Sequence, residues 1–510
     1  MKQGKHRYIR LPAVLLALLM IVGAAVIPAS AVEMGDDMTF GHISEYKDFN
    51  DLYPGAADAI AEGAYNLNKQ VDISSYGIPY SPENAKKLFA TVIHTHPELF
   101  YVSGSFSWGG KFMNGRSVLS YLNLHWGKVI YDDSTGQAIG EDTYSDAQVL
   151  QMRAEFRARA QWYLNKLDDN MSDFEKALVL HDELALNSEY LLSGETYDLM
   201  VNGQGKCYGY SEAYSYLLAQ VGIDSEIIES EPMFHQWNKV KIDGHYYHVD
   251  VTWDDASPDK PGFVDHTYFL LSDAAIESAG DANYHHYGYT TDFPSVDTRF
   301  DDMGYHKINT QLCRVGSDVY AVDNNSVDQS DTGRKLLLYD LAADSFQVVH
   351  SFGNVYWSTG SGSVWIDAFI GLQEFDGYLY MNTEHEIYVY DTVSGEFSLF
   401  AEDTYEKSFY GVRIIDGALY AVMATSPAET GTLQYIDECT VRSVPVPEPV
   451  MGDLDGDGVL TVEDVTVLLR FLAEYDELTP EQLLLADVTG DGKVNVLDIT
   501  AMQRIIAEVE

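Results

Sequence analysis

The sequence predicts a multidomain protein: an α+β region over 167–300, an all-β region of propeller-like or sandwich type over 301–442, and a small all-α segment over 451–510. Three observations carry this. A helical run that begins at Cys207 is followed by an alternating hairpin centred on Asp243-Gly244. A turn-and-strand phrase recurs between 315 and 420. Two acid-rich loops near the end each lead into an amphipathic helix.

In the first part, Gln204-Gly205-Lys206-Cys207-Tyr208-Gly209-Tyr210 runs into apolar residues at helical spacing, namely Tyr210, Ala213, Tyr214, Leu217 and Leu218, and stops at Gly222. Cys207 therefore falls at a helix N-terminus. Orphan N–H groups and the helix dipole favour negative charge there, so its thiol is expected to ionise more readily than a free cysteine. The flanking glycines let another segment come close. On this stretch alone, a buried structural cysteine is an equal alternative.

Downstream, Asp243-Gly244 between two alternating runs marks a two-residue hairpin. Folding there pairs Ile242 with His245, Val240 with Tyr247 and Trp237 with Asp250, and sets His235 opposite Thr252. Asp250 becomes the diagonal neighbour of His235 on one face, ~7–8 Å away. Val240, Ile242, Tyr247, Val249 and Val251 make the opposite, apolar face. Thiol, imidazole and carboxylate together match the nucleophile, base and orienter of acyl-transfer enzymes.

GKCYGYSEAYSYLLAQVGI and HQWNKVKIDGHYYHVDVTWDD, with the run Phe174 to Tyr190 before them and Tyr268 to Ser272 after, resemble the transglutaminase-like superfamily in its bacterial extracellular branch. The resemblance implies a papain/transglutaminase-like α+β fold and places the catalytic residues at Cys207, His235 and Asp250. It implies a peptide or protein substrate, cleaved by water or transferred to an amine. The oxyanion donor beyond the Cys207 N–H is not fixed by the motif; Gln204 is a candidate.

Residues 1–31 read as a secretory signal: Lys2, Lys5, Arg7 and Arg10, an apolar run from Leu11 to Ile27, then Pro28 and Ala29-Ser30-Ala31. A retained anchor is the alternative, but the helix-breaking Pro28 and the cleavage site argue against it, so the processed chain is expected to be secreted, extracellular and not membrane-spanning. Removing the leader takes four of the 31 basic residues and none of the 79 acidic ones, so the net charge moves from −48 to −52. Such a balance argues against a nucleic-acid partner. The chain has three cysteines; pairing Cys313 with Cys439 would leave Cys207 as the one free thiol.

Residues 32–166 read as an N-terminal α+β region that packs on the catalytic domain, with helices at Asp58–Asn68 and Pro82–Ile93 and strands at Leu99–Val102 and Leu119–Leu124. His94 and His96 read as loop histidines. His245 and His248 point to opposite faces of a strand, so with His285 and His286 they make no zinc site. In 301–442, Val315 to Tyr320, Phe375 to Tyr380 and Ile415 to Tyr420 repeat one phrase, and Leu338-Tyr339-Asp340, Tyr390-Asp391 and Tyr435-Ile436-Asp437 a second. Three units fall short of a closed propeller. This region reads as a spacer rather than a carbohydrate- or protein-binding surface.

A proline-spaced linker, 443–450, precedes the last segment. Asp453, Asp455, Asp457, Val459, Thr461 and Asp464 occupy ligand positions of an EF-hand-type loop, as do Asp487, Thr489, Asp491, Lys493, Asn495 and Asp498. Two calcium ions are expected, the second held more weakly because Thr489 stands where an acid or amide belongs. Val465, Leu468, Leu469 and Leu472, then Ile499, Met502, Ile505 and Ile506, form the apolar helix faces. Two loops each followed by a helix resemble the type I dockerin over 451–510. That implies a cohesin module of a scaffoldin as partner and a cell-surface cellulosome-type complex as setting. The leading function is a secreted cysteine peptidase, amidase or transglutaminase. A non-catalytic scaffold component and a polysaccharide-degrading glycoside hydrolase are the alternatives.

Overall fold

The structure, a computed structural model, describes residues 49–507 apart from 132–137, 169, 256–261, 281–284, 324–332, 359–363, 367–368, 404–406, 427–431, 443–449, 456–458, 474 and 476–477. The expected secretory signal and most of the expected linker lie outside the described residues. One compact unit ends at Cys439 and a second begins at Thr440.

At the centre of the first unit is an antiparallel sheet in the order Phe269–Leu271, His245–Val249, His235–Ile242, Ser225–Ser230. Asp243 and Gly244 turn the hairpin with φ of +50° and +85°, as a type I′ turn requires. Ile242 pairs with His245 and Val240 with Tyr247, as expected. The ladder ends with Val249 opposite Asn238, so the expected pairs Trp237–Asp250 and His235–Thr252 do not form. Asp250 instead caps the short helix Val251–Asp254, its Oδ1 accepting the amides of Thr252 and Trp253 at 3.1 and 3.2 Å. An aspartate that can satisfy two orphan amides favours a helix start over strand continuation.

The helix Cys207–Gln220 packs on strands Ser225–Ser230 and His235–Ile242 and on the helix Asp173–Leu186. Its expected apolar stripe is fully buried and shares a core with Val240, Ile242, Tyr247, Val249 and Val251. Burying each such large side chain contributes ~1.5–3 kcal/mol. The same core takes in Val319, Ala321 and Tyr339 from the β-rich region.

Before this core lie helices Ala56–Tyr65, Pro82–Thr95 and Asp146–Leu164. Strands Ser107–Met113 and Arg116–Asn123 join through Asn114-Gly115, an Asn-Gly signal of the same kind as Asp243-Gly244. Leu99–Val102 is not a strand; Pro97 opens a 3-10 turn, Pro97–Leu99, instead. His94 lies in a helix, and His96 bonds Glu98 at 3.1 Å.

Among the described residues the β-rich region forms antiparallel meanders and no closed barrel: Cys313–Val315 to Ser345–Gly353, Leu372–Phe375 to Phe397–Glu402, and Ser408–Ile415 to Thr432–Glu438, with a two-stranded sheet of Tyr356–Ser358 and Val364–Ile366. Each recurring phrase is the first hairpin of a meander, turned at Gly316, Asp376-Gly377 and Asp416-Gly417, all at positive φ. The expected Cys313–Cys439 disulfide is absent. Both thiols are free, Cys313 in a core with Tyr320 and Trp357, Cys439 in another with Val412 and Leu419.

The second unit holds helices Val462–Leu472, Pro480–Ala486 and Val496–Ile506 around Leu454, Val465, Leu468, Ala486, Ile499 and Met502. Leu469 and Ile505 are exposed rather than on the buried faces.

A buried ionic network ties the sheet's end to the helix Asp173–Leu186. His181 bonds Asp182 at 2.9 Å and Asp254 at 3.1 Å; His266 bonds Asp182 at 3.0 Å and the Ile308 carbonyl at 2.9 Å. Burial opposes charge on His181, but the two carboxylates outweigh it and raise it to about 9. Burial pushes Asp254 up to about 7, with His181 opposing. Since Asp254 also accepts the Tyr268 amide, protonated His181 between two carboxylates is the state the geometry requires. His181 holds its proton more tightly folded than unfolded. Its stabilisation is therefore complete below its ordinary value near 6.5 and is lost as pH rises through about 9. The melting temperature of the first unit should fall across that window, and His181→Asn should flatten the fall. A wild-type melting temperature that stays level or rises there would contradict the assignment.

Candidate active site

Cys207 is the first residue of its helix, after Lys206, which provides no side-chain cap. Gly205 and Gly209 lie so close to the segment Asp198–Asn202 that an added Cβ would meet Leu199 at 3.0 and 3.2 Å. That contact seats the helix start. Across it, Gln236 Nε2 donates to Ser211 Oγ at 2.7 Å and Asn238 Nδ2 to the Ser211 carbonyl at 2.9 Å. These two buried amides fasten the strand that begins at His235 to the helix that begins at Cys207. Neither is among the candidates drawn from the sequence, although alternation places both on the face of Val240 and Ile242.

His235 Nε2 lies 2.5 Å from Asp250 Oδ2. The expected His235–Asp250 partnership is therefore present, although the chain reaches it through a helix cap rather than a strand diagonal. Trp237 and Trp253 both stack with the His235 ring, with centroids at 5.7 and 4.8 Å. Trp237 is itself held: its Nε1–H donates to His248 Nδ1 at 2.8 Å, and His248 Nε2–H donates to Asp273 at 2.9 Å. His248 is thus a neutral structural link, driven down to about 3 by burial. His245, three residues away, is exposed on the other face, as expected.

Burial opposes charge on His235, but the Asp250 carboxylate and a hydrogen bond with Cys207 raise it to about 10. Asp250 is fully buried; burial alone would favour its neutral form, but the two histidines hold it well below the usual carboxylate range. With Nε2 committed to Asp250, Nδ1 is the His235 nitrogen left for the thiol. His286, missed from sequence except as a rejected zinc ligand, donates its Nε2–H to the same Asp250 Oδ2 at 2.8 Å. Separations of 2.5 and 2.8 Å suit shared protons and are shorter than the ~3.3 Å between tetrahedral zinc ligands. Gln204, the candidate oxyanion donor, spends its amide on Glu189 at 3.1 Å. Phe234, at φ +52°, and Tyr287 stand exposed beside His235 and His286, on loops joined by Ser230 Oγ to the Tyr287 carbonyl at 2.6 Å.

In the second unit, Asp453, Asp455 and Asp464 bring carboxylate oxygens within 4.8 Å of one another. Asp464 accepts the amides of Leu454 at 2.7 Å, Asp455 at 3.1 Å and Thr461 at 2.7 Å. Asp457 lies outside the described residues. The second loop repeats the pattern: Asp498 accepts the amides of Thr489 at 3.0 Å and Asn495 at 2.8 Å, and the Thr489 hydroxyl at 2.8 Å. Asp487 accepts the amides of Asp491 and Gly492, and Asp491 that of Lys493. Residues 451–507 match the family described as dockerin type I domain. The second unit carries a dockerin type I domain. Such domains bind calcium and interact with cohesin modules in cellulosome-type assemblies. The oxygens of the first loop fit a hard cation. In the second loop of the dockerin, Thr489 offers a hydroxyl where a carboxylate would complete such a group.

No curated protein matches the chain. Among solved structures, a transglutaminase is 11% identical over 34% of this chain and 48% of its own, with a TM-score of 0.19. A protein from Parabacteroides distasonis, provisionally named a protease, is 8% identical over 56% and 64%, with a TM-score of 0.18. The chain thus spans about half of the first neighbour and less than two thirds of the second. At these scores neither likeness carries an argument. No helix among the described residues is long and apolar enough to cross a membrane.

Calcium should fill the first dockerin loop before the second. Calorimetry on the C-terminal unit should show Asp453→Ala and Asp464→Ala weakening calcium binding more than Asp487→Ala and Asp498→Ala. The reverse order would contradict the role given to Thr489.

Proposed function

We propose that this is a secreted cysteine enzyme that cleaves or transfers a peptide or amide acyl group, attached through its dockerin to a cohesin on a cellulosome-type scaffold. The observation that carries the reading is the Cys207 helix start facing His235, whose other nitrogen is held by Asp250. Cys207 Sγ attacks the carbonyl carbon, and its proton rests on His235 Nδ1. The first-turn N–H groups of the Cys207 helix can receive the developing oxyanion. His235 passes the proton to the leaving amine, and the acyl group stays on sulfur as a thioester. Water, giving its proton to His235, then releases the acid; an amine in its place gives transfer. Hydrolysis is favoured, because no feature of the site among the described residues marks an amine-donor subsite. Asp250 keeps the imidazole turned and supports its charge.

The calcium ligands would be Asp453, Asp455, Asp457, Val459, Thr461 and Asp464 in one loop and Asp487, Thr489, Asp491, Lys493, Asn495 and Asp498 in the other. Calcium there supplies the charge that lets the loop carboxylates approach, and takes no part in acyl transfer.

Burial raises Cys313 well above the ordinary thiol range and Cys439 to about 11, so neither should compete as a nucleophile. Iodoacetamide at neutral pH should therefore label Cys207 alone. His235→Ala should slow that labelling about tenfold or more, since an unassisted thiol is only a few per cent thiolate there. Cys207→Ala should abolish amine release from an amide substrate. Equal labelling of all three cysteines, or an unchanged rate in His235→Ala, would defeat the reading.

A further inference from the structure

Granted the acyl-transfer reading of Cys207 and His235, we propose that His286 is a positioning residue that tunes the proton affinity of His235 through their shared oxygen, Asp250 Oδ2. The carboxylate's two oxygens have separate duties. Oδ1 takes the amides of Thr252 and Trp253; Oδ2 takes His235 at 2.5 Å and His286 at 2.8 Å. His286 is fully buried, and its Nδ1 has no hydrogen-bond partner. This fixes its state. Facing an acceptor, Nε2 carries the proton, and a second proton on Nδ1 would be a buried charge donor with nothing to receive it.

The surroundings agree. The ring lies against Trp253 at 4.3 Å, Trp237 at 4.6 Å and Tyr268 at 5.2 Å. The titratable groups that face it are Asp250, His235 with ring centroids 5.7 Å apart, His285 on its own loop and His248 beyond Trp237. Burial, aided by the positive charges of His235 and His285, keeps His286 below the ordinary imidazole range in spite of Asp250. His286 is therefore a neutral donor at the pH where the site works.

One oxygen with two donors divides its negative charge between them. His286 thus limits how firmly Asp250 holds the proton of His235, while keeping Oδ2 in place. The balance matters after acylation. His235 must then be neutral to take a proton from water, and too firm a hold would leave it an imidazolium and stall release of the acid. His286 touches no substrate in this scheme; it acts through Asp250.

The test uses the full secreted chain with p-nitrophenyl acetate, whose burst reports acylation of Cys207 and whose steady state reports deacylation. His286→Phe keeps the ring and removes the donor. Its burst should persist, while the acid limb of its steady-state pH profile moves up by about one unit, the shift expected for one hydrogen bond to a charged group. His286→Gln carries an N–H at the position of Nε2 and should restore the wild-type limb. An unshifted limb in His286→Phe, or a loss by one factor at every pH in both variants, would overturn the inference. Nitrogen-15 spectra of histidine-labelled wild-type protein provide a check that needs no folded variant. His286 should show a protonated Nε2, a bare Nδ1 and no titration through the neutral range. The opposite tautomer or a doubly protonated ring would be fatal. Absence of a wild-type burst, or turnover that survives Cys207→Ala, would defeat the acyl-transfer reading itself, an outcome distinct from an unshifted limb.

Discussion

The candidate active site of the first unit is arranged around one buried carboxylate, Asp250. An isolated ionised carboxylate with no solvent exposure would be strongly disfavoured. Here two amides and two imidazoles supply its donors. Removing one partner of such a buried pair typically costs about 3–5 kcal/mol. The donors come from separate parts of the chain: the cap of the helix Val251–Asp254, the first residue of a central strand, and the loop that carries His286. Satisfying the charge therefore fixes where these segments meet, and so where His235 stands relative to Cys207.

Behind the site, the constraint passes to a second ionic cluster. Asp254 ends the short helix that Asp250 begins, and it is bound by His181 and by the Tyr268 amide. His181 belongs to the helix Asp173–Leu186, against which the Cys207 helix packs. Cys207 and Asp250 are thus referred to the same support from two directions. The stacked indoles of Trp237 and Trp253 leave the His235 ring little freedom to turn. The dockerin is organised on the other principle: its carboxylates have loop amides for partners and gather where a cation can neutralise them.

Much of this was legible in the residues. Apolar spacing after Cys207 gave the helix and its buried stripe, and Asp243-Gly244 gave the hairpin and its register as far as Val249. The duplicated loops gave the dockerin. What stayed hidden depends on partners distant in sequence. Asp250 reads as a strand residue by alternation, and only the chain's exit from the sheet makes it a cap. His286 sits 36 residues further on, and nothing in its local pattern points to Asp250. Cys313 and Cys439 bracket a β-rich region, yet the meanders bury them in different cores, which spacing cannot reveal. Gln236 and Asn238 share the face of Val240 and Ile242 by alternation, but their partner Ser211 lies in another element, so their burial against it shows only in the fold.

The sharing of Asp250 Oδ2 by two imidazole protons is most directly examined in the downfield proton NMR spectrum of the full chain. Two slowly exchanging N–H resonances are expected below neutral pH, one from His235 and one from His286. Asp250→Asn should lose or sharply shift both, and His286→Phe only one. Both resonances persisting unshifted in Asp250→Asn would contradict the arrangement on which the site depends.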